Sequence, residues 1–412
     1  MEILHACCCG IDVHAKTIVA CLIKNGSKTT RTFSTMTDDL LQFLDWLLQE
    51  GCTHVAMEST GVYWRPVYNI LEGQMDVILV NARHIKQVPG RKTDVRDCEW
   101  IADCLRHGLL KASFIPPLEI RELRELTRYR TTLTQELTRV ANRIQKVIES
   151  GNIKLGQVAS DVMGLSGRAM LTALAHGETD TERMSEMAQR QLKKKKAELG
   201  RSLQGRLTNA QRWVLSDLLQ RYTETEEAIK RVTERIDEEI KSSTDPFVRE
   251  AIDFADEIPG IGKQSAENIL AEIGVRMSVF PSARHLSSWA GMSPGNNESA
   301  GKRKSTNTTK GNPYLRRALV EAAWAASHTK SSYLSAQYHR LARRIGKKRA
   351  LMAVGHSILI ILYQMLSKRE HYQDLGIQYL DQRNKAAIHN HLVRRLQSLG
   401  YRVTTEEVPV AA

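Results

Sequence analysis

Between residues 6 and 80 the apolar positions fall first into short β-rich runs and then into alternating helical and strand-like segments. ACCCGIDVHAKTIVACLI, residues 6 to 23, reads as two strands broken by the polar residues His14 to Lys16, and KTTRTFSTM at 28 to 36 reads as a third. DDLLQFLDWLLQE (38 to 50) carries helical spacing, THVAMEST (53 to 60) is a short buried strand, VYWRPVYNILEG (62 to 73) a helix and DVILV (76 to 80) a strand. The order is βββαβαβα. A meander followed by alternating elements predicts a mixed sheet with helices on its faces, in which the first and fourth strands can lie side by side.

From about residue 118 the pattern changes to long charged helices. Leu126, Leu133, Val140 and Val147 recur every seven residues, Leu123, Leu137 and Ile144 occupy the interleaved positions, and Arg130 is the one interruption. A second coiled-coil seam runs through Leu218, Tyr222, Thr225, Ile229, Val232 and Ile236. The two seams can pair with each other in antiparallel fashion or with other subunits. Between them, short helical pieces surround the run Lys193 to Lys196, read as a solvated face. After Pro246 comes a compact, Gly-punctuated and mainly helical region with a polar tail. It opens with EIPGIGKQSAENILAEIG (257 to 274), where Gly260 and Gly262 form either an ordinary helix-helix turn or a helix-hairpin-helix-like turn whose N–H groups approach a phosphate. The expected division is therefore 1–115, an α/β domain; 116–245, coiled-coil helices; and 246–412, a C-terminal domain.

Composition narrows the class. Over 412 residues, 42% hydrophobic and 25% charged content is ordinary for a globular chain of two or three domains, which excludes a disordered or fibrous protein. Lys and Arg total 59 against 46 acids, and the net charge of +13 makes a polyanion the natural partner. No apolar run approaches the ~20 residues that span a bilayer, and the N-terminus has no signal-peptide pattern, so a cytoplasmic protein is expected. The seven cysteines show neither zinc spacing nor a secreted framework and read as small buried hydrophobes.

The stretch GRKTDVRDCEWIADCLRHG, 90 to 108, sets Asp94 and Asp97 one helical turn apart, directly after Arg91 and Lys92. If Thr93 caps a helix, the two acids share a face with Cβ atoms roughly 5 to 6 Å apart. Acids in a first turn also answer the helix dipole, and this stretch alone leaves both readings open. Asp12 sits in the first strand among Cys8, Cys9 and Ile11, where a carboxylate is costly to bury without a partner. Glu58 closes the fourth strand, which the expected sheet places beside the first. Four such carboxylates repel one another unless a hard cation neutralises them, and all-oxygen ligation with open positions suits one or two Mg²⁺ ions acting on a phosphodiester. Arg91, Lys92 and Arg96 would then hold the polyanion over the acids.

GIDVHAK, MESTGVYW and KTDVRDCEWIA resemble the DEDD motif of a family of bacterial insertion-sequence transposases whose N-terminal domain is RuvC-like, of RNase H type. IPGIG, FPSARHLSSWAGMSPGNNESAGKRKS and KGNPYLRRAL resemble the C-terminal transposase domain of the same family, in the same order along almost the whole chain. The resemblance implies that Asp12, Glu58, Asp94 and Asp97 bind the metal. It also implies a DNA transposase or recombinase that works as a tetramer with a composite site from different subunits, guided by a structured non-coding RNA from the element's own end.

In SPGNNESAGKRKSTNTTKGNPYLRR (293 to 317), Ser299 stands in a Gly- and Asn-rich loop, followed by Lys302, Arg303 and Lys304 and then Lys310, Arg316 and Arg317. A serine amid cations suits attack on a phosphate, where positive charge offsets the charge developing in the transition state. The residues alone favour the alternative, a solvated basic loop touching DNA backbone. The resemblance favours the nucleophile, because the family's proposed catalytic serine follows GLxP and a short polar run, where Ser299 stands. Ala300 follows it where glycine is common in relatives, which keeps Ser293 and Ser305 as further candidates. Two other functions fit parts of the pattern: a junction-resolving or RNase H-type nuclease needs only the four acids, and a non-catalytic coiled-coil nucleic-acid scaffold needs only the seams.

Overall fold

The computed structural model describes residues 2–59, 61–81, 85, 88, 97–295, 297–299, 302–305, 308–383 and 385–406. The chain divides into two compact units, Met1–Ile115 and Pro116–Ala412.

The first unit is a five-stranded mixed sheet covered by helices on both faces. Its strands are β1 (Cys7–Val13), β2 (Thr17–Lys24), β3 (Ser27–Ser34), β4 (His54–Glu58) and β5 (Asp76–Val80), in the spatial order β3-β2-β1-β4-β5. The meander β1-β2-β3 is antiparallel, whereas β4 runs parallel to both β1 and β5. This arrangement is consistent with an RNase H-like domain. Alternation along β1 and β2 sends Cys9, Ile11, Ile18, Ala20 and Leu22 to one face, where they meet Leu40, Phe43, Trp46 and Leu47 of α1 (Thr37–Gln49) and Val67 and Leu71 of α2 (Trp64–Leu71). Cys8, Cys21 and Ile23 go to the other face, against Cys98, Ile101, Ala102 and Leu105 of α3 (Asp97–Arg106). The cysteines of both layers are free thiols, and burial pushes Cys8 up to about 11 and Cys52 up to about 12, as expected of small hydrophobes. Gly10 sets how closely α3 approaches β1. A Cβ at that position would stand 2.3 Å from both Ala102 N and Cys98 O, so only glycine lets the helix lie directly on the strand.

Among the described residues, the second unit is helical apart from one small hairpin. Its two longest helices, α4 (Leu118–Ser150) and α5 (Asn209–Ser242), pack antiparallel. Val140, Ile144 and Ile148 near the end of α4 join Leu215, Leu218 and Tyr222 near the start of α5, while Leu123 at the start of α4 joins Ile236 near the end of α5. The seams thus pair within the chain. At their shared tip, residues 151–208 form short helices around Ile153, Leu155, Met170, Leu171, Leu174, Met184 and Leu199, continuous with the inter-helix core. α5 starts with a reciprocal cap between Thr208 and Gln211. The interruption at Arg130 marks where a third helix intrudes. Arg130 is only 3% exposed, and its guanidinium donates to Glu267 Oε2 at 2.7 Å and Asn268 Oδ1 at 2.9 Å, both on α7 (Lys263–Ile273).

Helix α6 (Phe247–Asp256) leads into α7 through the Pro259-Gly260-Ile261-Gly262 turn. Gly260 has φ +90°, and a Cβ on it would lie 2.3 Å from Ala322 O and 2.4 Å from Ala326 N of α9 (Pro313–His328). Helix packing therefore accounts for this glycine without a phosphate. Gly262 is exposed at the start of α7. Between α7 and α9 lie α8 (Ala283–Trp289) and a hairpin of β6 (Asn297–Ser299) and β7 (Lys302–Ser305). Beyond α9 come α10 (Tyr333–Ile345), α11 (Lys347–Lys368) and, in the tail, α12 (Lys385–Ser398). By length and composition α11 is apolar enough to cross a membrane, contrary to the expectation that no such run exists. Its Val354, Ile358, Leu359 and Leu362 are fully buried against α8, α9 and α10, the position of a core helix.

Candidate active site

The parallel pairing of β1 with β4 brings the first two candidate acids together. Its register runs from Cys8↔His54 to Ile11↔Met57, and the next residues on the two strands are Asp12 and Glu58. Asp97 is the first residue of α3, the helix that Gly10 admits onto β1. With Glu99 it also places negative charge in the first turn, so answering the helix dipole and facing Asp12 are compatible roles.

Electrostatics ties the three acids together. Burial pushes the Asp12 carboxyl above the ordinary carboxylate range, the neighbouring His14 pulls it back, and the charges of Asp97 and Glu58 push it up again. His14 Nε2 lies 3.2 Å from Asp12 Oδ2, with the Asp12 side chain 28% exposed. Among the described residues no three acid, histidine or cysteine side chains already enclose an ion-sized position. Asp12, Glu58 and Asp97 interact at electrostatic range, and the His14 ring lies against Asp12. An oxygen donor set of this charge suits a hard divalent cation, which would offset the burial and the repulsion that raise Asp12. Asp94 lies outside the described residues, as do Arg91, Lys92 and Arg96.

In the second unit, Ser299 ends β6 and pairs in register with Lys302 of β7, while Glu298 pairs with Arg303 and Asn297 with Ser305. The candidate serine thus lies across a short hairpin from the first of three consecutive cations. Lys304 lies on the same strand, and Ser293 precedes the Pro294↔Thr308 bridge at the hairpin's base.

The DEDD transposase family model matches residues 9–152, and the model described as the transposase IS116/IS110/IS902 family matches residues 253–339. Together they cover more than half of the chain, in the family's order. The chain belongs to the IS110 family of transposases. The first match takes in Asp12, Glu58 and Asp97, the second Ser299 and its cations. No curated protein sequence matched the chain.

The remaining cations of this transposase are spread over the second unit. Lys310 is exposed on the segment between the hairpin and α9. Arg316 and Arg317 lie in the first turns of α9, where Arg317 lines a polar cleft with Tyr314, Asn268 and Gln135. Sequence reasoning missed His14 as the partner of Asp12, although residues two apart on an extended chain point to the same face, and that spacing was the available signal. It also missed the buried carboxylate Glu272, on which Arg128 and Asn312 converge. Partners separated by 144 and 40 positions leave no local pattern.

Proposed function

We propose that this transposase cuts and rejoins DNA by phosphoryl transfer, with Asp12, Glu58, Asp94 and Asp97 holding Mg²⁺ and Ser299 acting as the nucleophile. The observation that carries the metal site is the β1–β4 register, which sets Asp12 beside Glu58 under the helix that Asp97 begins, and burial together with the charges of Asp97 and Glu58 raises the Asp12 carboxyl. A fold that gathers acids against their own repulsion needs a cation to justify the cost. Bound Mg²⁺ would supply Lewis-acid stabilisation of the phosphate oxygens in flight. The protein's own part is to hold Asp12 and Glu58 on adjacent strands and Asp97 on a closely packed helix, and to present the serine beside Lys302.

In the serine step, Oγ loses its proton and forms a bond to phosphorus as the P–O3′ bond breaks. The released 3′ oxygen takes up a proton and the 5′ phosphate stays on the serine. A second 3′-hydroxyl then attacks that phosphate, re-forms a phosphodiester and returns the serine, so strand exchange needs no ATP. Lys302, Arg303 and Lys304, with Arg91, Lys92, Arg96, Lys310, Arg316, Arg317 and the exposed N–H groups around Gly262, bind the backbone in this reading. A homotetramer, a composite site and a structured guide RNA complete it, and these rest on the family resemblance.

The test incubates wild type and Ser299→Ala with DNA bearing the element's ends, its RNA and Mg²⁺, followed by denaturation and a search for DNA-linked protein. Wild type is expected to give an adduct at Ser299 that the variant lacks. An adduct at Ser293 or Ser305 moves the nucleophile. Unchanged cleavage by Ser299→Ala, with no adduct in either sample, replaces this mechanism with hydrolysis by the acid cluster alone.

A further inference from the structure

The β6–β7 hairpin leaves and rejoins the helical core between two glycines that touch. A Cβ on Gly291 would lie 2.6 Å from Gly311 N, and one on Gly311 would lie 2.2 Å from the Ala290 carbonyl carbon, so the excursion is closed backbone to backbone at its base. Asn312 follows directly and has two separate duties. Its Oδ1 accepts from the N–H groups of Tyr314 at 3.0 Å and Leu315 at 3.2 Å, which caps α9. Its Nδ2 donates to Glu272 Oε2 at 2.5 Å.

Glu272 lies next to last in α7, with a side chain only 2% exposed. Besides Asn312 it accepts Arg128 Nε at 2.6 Å and Arg128 Nη2 at 2.8 Å, a two-pronged pair from the long helix α4. Arg124, one turn earlier on α4, donates to the backbone carbonyls of Ala271 and Glu272 at 2.9 and 2.7 Å. The Arg128 guanidinium lies 4.5 Å from the centre of the Tyr314 ring, which closes the circuit back to α9. Capping α9 needs only an oxygen, which serine or aspartate supplies as well as asparagine does. The amide N–H₂ of Asn312 is therefore spent on Glu272, and a buried carboxylate satisfied by donors from two other elements holds them in one geometry.

We propose that Glu272 is a positioning residue which, through Asn312, fixes the base of the serine hairpin to α4, so that the placement of Ser299 follows that of the long helix. This rests on the reading of Ser299 as nucleophile. A reacting group displaced by about 1 Å loses on the order of a hundred-fold in rate, so the link affects the chemical step more than binding.

Exchanging the two functional groups tests the link. Asn312→Ser keeps an oxygen to cap α9 and removes the donor, Asn312→Asp keeps the cap and sets a carboxylate against the Glu272 carboxylate, and Asn312→Asp with Glu272→Gln restores one donor facing one acceptor. The measurements on the full-length chain are thermal melting, DNA affinity, hydrogen exchange of the β6–β7 amides and adduct formation at saturating DNA. Each single variant is expected to form adduct about ten-fold more slowly or worse, with unchanged DNA affinity and faster exchange in the hairpin, and the double variant is expected to recover about three-fold over Asn312→Asp, short of wild type because Arg128 Nη2 loses the Glu272 oxygen it shares with Asn312. Single variants that lose activity only in proportion to lost folded protein, or a double variant no better than the singles, overturn the proposal. If wild type forms no adduct, or Ser299→Ala still forms one, the nucleophile reading fails. Hairpin exchange, which involves no DNA, then decides the positioning claim: protection lost in the singles and regained in the double upholds it, and unchanged protection overturns it.

Discussion

At the scale of single residues, the acid cluster stores repulsion that a neutral substitution releases. The folded state raises the Asp12 carboxyl above its ordinary value, chiefly through burial. A raised carboxyl contributes stability while it is protonated, below its unfolded value of about 3.9, and that contribution is lost as pH rises through the folded value. In chelator at neutral pH, Asp12→Asn should therefore melt higher than wild type, and the gap should close as the solution is acidified towards pH ~4. His14 offsets part of the effect, so Asp12→Asn,His14→Ala should gain more over His14→Ala than Asp12→Asn gains over wild type. Added Mg²⁺ should raise the melting temperature of wild type and leave Asp12→Asn unmoved, while that variant loses cleavage. Melting curves with and without Mg²⁺ check all three, and an Asp12→Asn protein less stable than wild type in chelator would contradict the strain.

At the scale of elements, local spacing showed which segments are helix or strand, and distant partners decided what the exceptions mean. The meander and the β1–β4 adjacency were readable because apolar runs and turns set a strand order that few topologies satisfy. Arg130 was visible only as a break in a heptad, since its partner Glu267 lies 137 positions away on α7. Gly260 resembled a phosphate cradle because a glycine's need for φ +90° looks the same in sequence whether a ligand or the backbone of α9 approaches it. The pair Arg130 and Glu267, with side chains 3% and 1% exposed, joins α4 to α7. Removing one buried partner strands the other, so Arg130→Ala or Glu267→Ala should each cost about 3–5 kcal/mol in denaturant unfolding. Arg130→Met with Glu267→Leu should cost far less than the two single losses together, because no unpaired charge remains. Additive losses would show that the pair does not hold the helices through its charge.

At the scale of the whole molecule, the net charge of +13 says that a polyanion binds without saying where. The chain has three runs of at least three consecutive cations; Lys347, Lys348 and Arg349 open α11, and the other two are the ones to compare. Lys193, Lys194 and Lys195 lie on a 3₁₀ turn with no buried residue in the segment at the tip of the long helices, and Lys302, Arg303 and Lys304 form most of β7, opposite the end of β6. Each phosphate contact on duplex DNA contributes about 0.9 to the slope of log affinity against log salt. If the hairpin holds DNA, replacing its three cations with alanine should flatten that slope by roughly two to three, with a loss of affinity that shrinks as salt rises. The same replacement at Lys193, Lys194 and Lys195 serves as the comparison, since it removes an equal charge from a surface read as merely solvated. Titrating both triple variants with element-end duplex across a salt series separates local contact from bulk attraction. A slope changed by the tip variant and left intact by the hairpin variant would move the DNA to the far end of α4 and α5 and away from Ser299, whereas equal small changes would mean that the excess charge acts only as a diffuse field.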